Sequence, residues 1–220
     1  MPVPIRMTKI HHACLTIDDG STRLLLDPGQ LGPRPSLDAV TAVLITHRHV
    51  DHLDPELVAE ALRRGIPVWA PGDALGDIGV PDGIEDGGLH EAVPGTTLRI
   101  GSLSVQVAGE RHAELHPALP GPENRAYLID QRLFVTGDEH PVPPGRLTTL
   151  VTPADAPWLR ATDLIRYVRD VHPELVVGVH DGLLNADGLS VARHVIDSLR
   201  DEGATRATML SDGESIDIPG

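Results

Sequence analysis

The chain has 220 residues and a formal net charge of -14, from 32 acidic and 18 basic side chains. This charge disfavours nucleic-acid binding, which depends on Lys and Arg side chains that neutralise phosphates. Apolar residues make up 40% of the chain and aromatic residues 2%, so we expect a single folded domain over residues 1–220 with an aliphatic core.

The first third of the chain is predicted to be mainly β-structure, interrupted by one clear helix. The turn signal Asp18-Asp19-Gly20 joins the first two β-rich runs as a hairpin. Asp54 and Pro55 are typical of a helix start, and the apolar spacing over 56–64 predicts an amphipathic helix that ends at Gly65. The predicted strands of this part are 7–17, 22–26, 39–45 and 66–70.

The rest of the chain changes from consecutive strands to alternating strands and helices. Residues 72–88 predict a short helix or turn followed by a loop. Later, helices are predicted over about 160–171 and about 188–201, each between two strands. Two mixed sheets with helices on their outer faces accommodate this order. The predicted strands here are 89–93, 97–100, 103–108, 125–129, 133–136, 149–151, 175–179 and one near 205–210.

The segment VLITHRHVDHLD places His47, His49, Asp51 and His52 directly after an apolar run. Imidazole nitrogens and carboxylate oxygens are ligands for first-row metals, and a tight turn after a strand aims several of them at one point. The segment therefore predicts the front half of a metal site. The alternative is a polar loop that caps the following helix, but Asp54 is the better candidate for that cap.

Three more residues of metal-binding type, His112, Asp138 and His180, each follow a predicted strand. Loops at strand ends are a common location for site residues, so we expect these side chains to join the first group. A lone histidine at a strand end is more often a solvated side chain, so the prediction depends on their joint occurrence. His116 competes with His112 because both follow the same strand, and we favour His112 because it lies nearer the strand end.

These residues resemble the signature of the metallo-β-lactamase-fold hydrolases, Thr-His-x-His-x-Asp-His. The segment HHACLTIDDGSTRLLLDPG also resembles the branch that contains ascorbate-6-phosphate lactonase-type hydrolases. The resemblance covers nearly the whole chain and implies an α+β fold, an αββα sandwich of two mixed sheets. The signature stands here as Thr46, His47, Arg48, His49, Val50, Asp51 and His52.

The resemblance implies two divalent metal ions with separate ligand sets and one shared carboxylate. His47, His49 and His112 would hold one ion, and Asp51, His52 and His180 the other. Asp138 would bridge them. Zn²⁺ is the first choice for these ligands, with Mn²⁺, Fe²⁺ or Ni²⁺ as alternatives.

The implied reaction is hydrolysis by a hydroxide that the two ions share, with Asp51 as the catalytic residue that contacts it. We expect a small-molecule ester as substrate, first of all a lactone. A phosphodiesterase for small molecules or phospholipids stays open, as does a catalytically silent metal-binding or scaffold protein. The sequence has neither a Gly-x-Ser-x-Gly motif nor a phosphate-binding loop motif, which disfavours serine hydrolases and nucleotide triphosphatases.

Several residues are candidates for the surroundings of the site. Asp27 either orients the histidine loop or is a turn residue before a proline. His12 and Cys14 are predicted on the same side of the first strand, as a buried pair or as part of the pocket. Asn124 and Tyr127 are a turn residue and a sheet residue, or they approach the substrate.

The remaining expectations concern charge, partners and location. Lys9, Arg111 and Arg125 are candidates for binding an anionic group, although scattered basic residues usually belong to the surface. The single cysteine excludes an internal disulfide, and neither a signal peptide nor a membrane span of roughly 18 apolar residues is evident. We therefore expect a cytoplasmic protein. A homo-oligomer is compatible with apolar side chains near Trp158 and in the 112–124 loop.

Overall fold

A computed structural model describes residues 3–80 and 87–220 and contains two seven-stranded sheets. The first sheet contains β1 (Ile5–His11), β2 (Cys14–Asp18), β3 (Arg23–Leu26), β4 (Ala42–Leu44), β5 (Val68–Ala70), β6 (Leu89–Glu91) and β14 (Ser215–Ile218). The second contains β7 (Thr97–Ile100), β8 (Leu103–Ala108), β9 (Ala126–Ile129), β10 (Leu133–Val135), β11 (Thr149–Pro153), β12 (Leu175–Val179) and β13 (Arg206–Met209). The helices are α1 (Pro55–Arg63), α2 (Gly72–Leu75), α3 (Ala161–Val171) and α4 (Ala186–Ser198), which continues into a 3-10 turn at Leu199–Asp201.

Both sheets are mixed. The strand order is β14-β1-β2-β3-β4-β5-β6 in the first sheet and β13-β12-β11-β10-β9-β8-β7 in the second. In the first sheet β14 to β3 are antiparallel and β3 to β6 parallel. In the second, β7 to β10 are antiparallel and β10 to β13 parallel. The predicted pair of mixed sheets is confirmed.

Alternation along the strands divides the core into layers. Leu24 and Leu26 of β3 lie in the cluster between the sheets, whereas Leu25 packs with α1 on the outer face. On the second sheet, Ile129 faces the inner cluster and Leu128 packs with residues of α3 and α4. Helices therefore cover the outer faces of both sheets, which gives the expected αββα sandwich.

Strands from both sheets deliver the predicted site residues to the same end of the sandwich. Asp27 follows β3, and His47 lies shortly after β4. From the second sheet, His112, Asp138 and His180 follow β8, β10 and β12 respectively. The rigid hydrogen-bonded strands thus fix where each loop begins.

Near the chain termini, one prediction was wrong and one strand was missed. The run 7–17 is not one strand: β1 and β2 are separated by a turn, in which His12 adopts a left-handed conformation with φ 53°. Strand β14 was not predicted, and it pairs with β1 through Ile5↔Ile218. It has only four residues, so long-range pairing rather than local propensity defines it.

The helix predictions hold with small shifts. Asp54 caps α1, and its carboxylate accepts hydrogen bonds from the backbone N–H groups of Glu56 and Leu57. Helix α2 confirms the short helix expected after residue 72, while the loop expected next lies partly outside the described residues. Over the described ranges, every helix is too short or too polar to cross a lipid bilayer.

Candidate metal centre

The histidine loop is anchored to β3 by a buried carboxylate. Asp27 accepts hydrogen bonds from the backbone N–H and the hydroxyl of Thr46, both at 2.7 Å. Its Oδ2 atom also lies 2.8 Å from Nδ1 of His52. Asp27 therefore sits behind the loop and orients it, in a left-handed backbone conformation with φ 45°.

The structure brings the predicted ligand types together. The ring centroid of His47 lies 4.7 Å from that of His49, 4.0 Å from that of His52 and 4.9 Å from that of His112. Ligand atoms within 4.8 Å of one another form three overlapping groups in the described chain: His12, Asp51, His52 and His180; His47, His49 and His112; and His47, His52 and Asp138.

Hydrogen bonds fix which imidazole nitrogen carries the proton. Nδ1 of His112 lies 2.7 Å from the carbonyl oxygen of Ala113, and Nδ1 of His180 lies 2.7 Å from that of Asp155. A carbonyl oxygen only accepts, so both rings donate through Nδ1–H. In His52 the acceptor is the Asp27 carboxylate. When these rings are neutral, their Nε2 atoms keep a free lone pair.

Several atoms of the cluster that could bind a metal are buried. In the part of the chain that the structure describes, Nε2 of His47, His52 and His180 and Oδ1 of Asp138 are buried without a hydrogen-bond partner. Burying unpaired polar atoms is costly, so such a concentration of them indicates a missing partner. Imidazole nitrogens and a carboxylate oxygen are suitable ligands for Zn²⁺. The residues present therefore fit a metal centre.

The electrostatics show how strongly this space attracts positive charge. Burial opposes ionisation of Asp138 and Asp51, but nearby His52 and His180 hold the pKa of each carboxyl well below its usual range. For Asp51, the hydrogen bond from His12 acts in the same direction. Although burial lowers it, the carboxylates of Asp138 and Asp51, 3.2 Å and 3.3 Å from Nε2, raise the pKa of His180 to about 10. Asp27 and Asp138 also raise the pKa of His52 against its burial. The carboxylates thus hold protons in space that divalent cations would occupy.

His112 and His116, which the sequence left in competition, have different surroundings. His112 is buried, with its ring centroid 4.7 Å from that of His49. His116 is exposed, and its Nδ1 accepts a hydrogen bond from the backbone N–H of Ala118. Only His112 of these two belongs to the groups described above.

Asn124 and Tyr127 support the site from within the protein. Asn124 is fully buried, donates to the carbonyl of Thr136 at 2.9 Å and accepts from the N–H of Asp138 at 3.0 Å. A Cβ atom on Gly137 would lie 2.3 Å from Asn124 Oδ1, so this turn requires glycine. Tyr127 donates its hydroxyl hydrogen to the carbonyl of Ile45 at 2.7 Å. Both residues thus hold the loops that carry the site.

Cys14 does not share the position of His12. It lies in the outer cluster with Leu25 and Val43, and burial raises the pKa of its thiol. His12 instead turns toward the site, with its ring centroid 4.0 Å from that of His180. The left-handed turn between β1 and β2 breaks the alternation on which the same-side prediction depended.

One contact was not foreseen from the sequence. Nε1 of Trp158 donates a hydrogen bond to Oδ2 of Asp138 at 3.3 Å. The Trp158 ring also lies edge-on to His112 and His140, at centroid distances of 6.2 Å and 5.4 Å. The 20-residue separation from Asp138 gives no periodic signal, so only the packing of the loops reveals this partner.

An αββα sandwich with a His and Asp cluster at one end of its sheets is a metallo-β-lactamase fold. A family model described as "Beta-lactamase superfamily domain" matches residues 6–180, and the chain belongs to this superfamily. This membership and the cluster place it among the superfamily's metal-dependent hydrolases.

The chain is similar to one protein by sequence and to two solved structures by fold. The chain is 30% identical to Protein Rv0786c of Mycobacterium tuberculosis over 195 residues, which cover 85% of this chain and 89% of the relative. Its fold is similar to that of a metallo hydrolase, Igni18, from Ignicoccus hospitalis, with a TM-score of 0.68, 14% identity and 99% coverage of both chains. A second similar structure is a putative metal-dependent hydrolase from Parabacteroides distasonis, with a TM-score of 0.70, 17% identity and 94% coverage of both chains.

Proposed function

We propose that the protein is a hydrolase that uses two divalent metal ions to cleave an uncharged small-molecule ester, with lactones as the first substrate class. The observation that carries this proposal is the convergence of unpaired imidazole Nε2 atoms and carboxylate oxygens in one buried space. The proposed ligands are His47, His49 and His112 for one ion, Asp51, His52 and His180 for the other, and Asp138 between them.

Zn²⁺ is the proposed ion, because these nitrogen and oxygen ligands suit it. When bound, two such ions would lower the pKa of a water molecule toward neutrality and polarise the ester carbonyl. Asp51 is partly exposed and ionised, so its carboxylate is available to accept a hydrogen bond from the attacking water. The backbone supports around the histidines would keep the ligands in place during the reaction.

The surrounding charges favour an uncharged ester over a phosphodiester. Lys9 is buried, and its Nζ atom lies 2.6 Å from Asp181 Oδ1. Arg125 pairs with Glu123 and donates to the carbonyl of Ala92 at 2.6 Å. Two of the three cations that the sequence offered as anion ligands are thus engaged within the protein. The third, Arg111, is exposed and donates to the carbonyl of Gly121 at 3.4 Å.

Exposed apolar side chains lie close to the proposed ligands in sequence. Val50 is 63% exposed beside Asp51, and Leu115 and Leu119 are 56% and 68% exposed in the loop after His112. Exposed apolar side chains near a site favour a ligand with apolar surface. A lactone with an alkyl or ring substituent matches this chemistry better than a charged phosphodiester.

The test combines zinc content with hydrolysis of matched substrates. Purified protein loaded with Zn²⁺ should hold about two ions per chain and hydrolyse simple lactones faster than bis(p-nitrophenyl) phosphate. His112→Ala should lower kcat/KM by more than about 100-fold, because even residues that only orient a ligand contribute 10–100-fold. His116→Ala is the matched control in the same loop and should keep kcat/KM within about twofold of the parent.

Each alternative gives a different result. Faster cleavage of the phosphodiester would overturn the substrate class while retaining the hydrolase. Zinc-loaded protein that is inert on both substrates would support a silent metal-binding protein. Protein that binds no zinc, manganese or iron would overturn the whole proposal.

A further inference from the structure

His12 occupies an unusual position beside the metal centre. It lies in the turn between β1 and β2, is 1% exposed and has a positive φ of 53°. Its carbonyl oxygen accepts a hydrogen bond from the N–H of His180 at 3.2 Å, so the turn is tied to the loop that carries His180. Such backbone conformations in non-glycine residues persist where the surroundings enforce them.

In the His12 ring, the nitrogen that accepts and the nitrogen that donates are exchanged relative to His52 and His180. The backbone N–H of Gly182 donates to Nδ1 of His12 at 2.9 Å. Nδ1 is therefore an acceptor and carries no hydrogen, so in the neutral ring the hydrogen is on Nε2. Nε2 lies 3.2 Å from Oδ2 of Asp51, a distance suited to an N–H···O hydrogen bond.

The position of the ring hydrogen distinguishes His12 from His52 and His180, the other two histidines of its group. His52 and His180 donate through Nδ1–H, which leaves Nε2 free to bind a metal. In His12 the hydrogen is instead on Nε2, so this nitrogen has no in-plane lone pair with which to bind a metal. By distance alone, however, His12 groups with Asp51, His52 and His180 as a fourth ligand atom.

We propose that His12 is a positioning residue that donates its Nε2–H to Asp51, and that it is not a ligand of the second ion. Asp51 Oδ2 also lies 3.3 Å from Nε2 of His180, so this oxygen faces the space between the ligands. The hydrogen bond from His12 holds that oxygen in place while Gly182 holds the His12 ring. This inference rests on the proposed function of the site.

Two amide variants separate the two hydrogen bonds of the ring. His12→Gln places an amide near the position of Nε2 and keeps a donor for Asp51, whereas His12→Asn places its oxygen near Nδ1 and keeps only the acceptor for Gly182. Zinc affinity at both sites is measured by competition with a chromophoric chelator. We expect the second-site dissociation constant to change less than about threefold in His12→Gln and to rise about 10–100-fold in His12→Asn. First-site affinity should be unchanged in both and controls for folding.

Every other pattern contradicts the proposal. Loss of second-site affinity in both variants by more than about 100-fold would make His12 a ligand. Loss of second-site affinity in His12→Gln alone would mean that only the hydrogen bond from Gly182 matters, so that the role of His12 is structural. Unchanged second-site affinity in both variants would show that His12 does not contribute to metal binding.

Nitrogen-15 spectra of the histidine rings test the same inference without activity or affinity. In zinc-loaded protein, His12 should carry its hydrogen on Nε2, and His52, His112 and His180 should carry theirs on Nδ1. The His12 signals are assigned by their loss in His12→Asn. A hydrogen on Nδ1 of His12 would overturn the proposal. Should the protein bind no divalent metal, the proposed function fails, and the same spectrum of the metal-free protein still decides how His12 is bonded.

Discussion

Oδ2 of Asp27 lies 2.8 Å from Nδ1 of His52, and both side chains are at most 2% exposed. The same oxygen accepts the hydroxyl hydrogen of Thr46 at 2.7 Å. One buried carboxylate therefore holds the start of the histidine loop and keeps the His52 proton on Nδ1. This leaves Nε2 of His52 directed toward Asp138, whose Oδ1 lies 3.4 Å away.

Asp27→Asn tests this support. The carboxylate accepts the Thr46 N–H at Oδ1 and both the Thr46 hydroxyl and His52 Nδ1–H at Oδ2, whereas the amide has one oxygen and cannot accept all three. We therefore expect zinc affinity at the second site to fall about 10–100-fold. Chelator competition measures the change. Asp77→Asn, in an ion pair with Arg48 whose side chains are 36% and 44% exposed, is the control and should bind zinc like the parent. Equal zinc binding by Asp27→Asn would show that His52 needs no such partner.

The clustering of the histidine-loop residues could be predicted because its signal is local. His47, His49, Asp51 and His52 are adjacent in the chain, and one strand followed by one turn is enough to bring them together. The carbonyl groups of Ala113 and Asp155, which fix the protons of His112 and His180, could not be predicted. Every residue has a carbonyl, so no residue type marks this role.

The geometry of the first turn was also beyond sequence reasoning. Residues 7–17 have the composition of one strand, and continuous alternation would place His12 and Cys14 on one face. The left-handed conformation of His12 is instead enforced by long-range hydrogen bonds to Gly182 and His180. Tertiary contacts that overrule local preference leave no trace in a single sequence.

Trp158→Phe tests the indole contact with Asp138. The substitution keeps an aromatic ring but removes the N–H that donates to Asp138 Oδ2. A hydrogen bond to a charged group contributes about 1.5–3 kcal/mol, and this one is long, so we expect about a tenfold loss of zinc affinity. Trp69→Phe is the matched control, because Trp69 stacks on His90 rather than on a proposed ligand.

The same two variants give an independent optical measurement. Trp69→Phe leaves Trp158 as the only tryptophan, and its emission should change as zinc is added. Trp158→Phe leaves Trp69, whose emission should stay constant. A zinc response from Trp69 alone would contradict the placement of Trp158 beside the metal centre.

Lys9→Met tests the buried ion pair next to His180. Lys9 and Asp181 are 2% and 9% exposed, so removal of the ammonium leaves a nearly buried carboxylate without its cation. We expect the free energy of unfolding to fall by about 3–5 kcal/mol, measured by urea denaturation. Lys9→Met combined with Asp181→Asn should recover part of this loss. Arg6→Met is the control: its pair with Asp217 is 64% and 69% exposed and should contribute little to the free energy of unfolding. A loss in Lys9→Met no larger than in this control would mean that the pair is not buried in solution.

Asp19→Asn tests a carboxylate that connects the turns of the two sheets. Asp19 accepts hydrogen bonds from the N–H groups of Ser21 and Thr22 and from the hydroxyl of Ser102, which lies between β7 and β8. Burial opposes ionisation, but these hydrogen bonds lower the pKa of Asp19 from 3.8 to about 2. Because the folded pKa is the lower one, the stabilisation is present above pH 3.8 and is lost as the pH falls toward 2.

At pH 7 we therefore expect the free energy of unfolding of Asp19→Asn to be about 1–2 kcal/mol lower than that of the parent, after allowance for solvent screening. In urea titrations at decreasing pH, this difference should shrink between pH 3.8 and 2, because the parent then takes up the proton that the variant lacks. The control is Asp217→Asn, which removes a surface carboxylate and should leave the free energy of unfolding at pH 7 close to that of the parent. A difference between parent and Asp19→Asn that is the same at every pH would show that the lost stability comes from the shape of the turn rather than from the charge of Asp19.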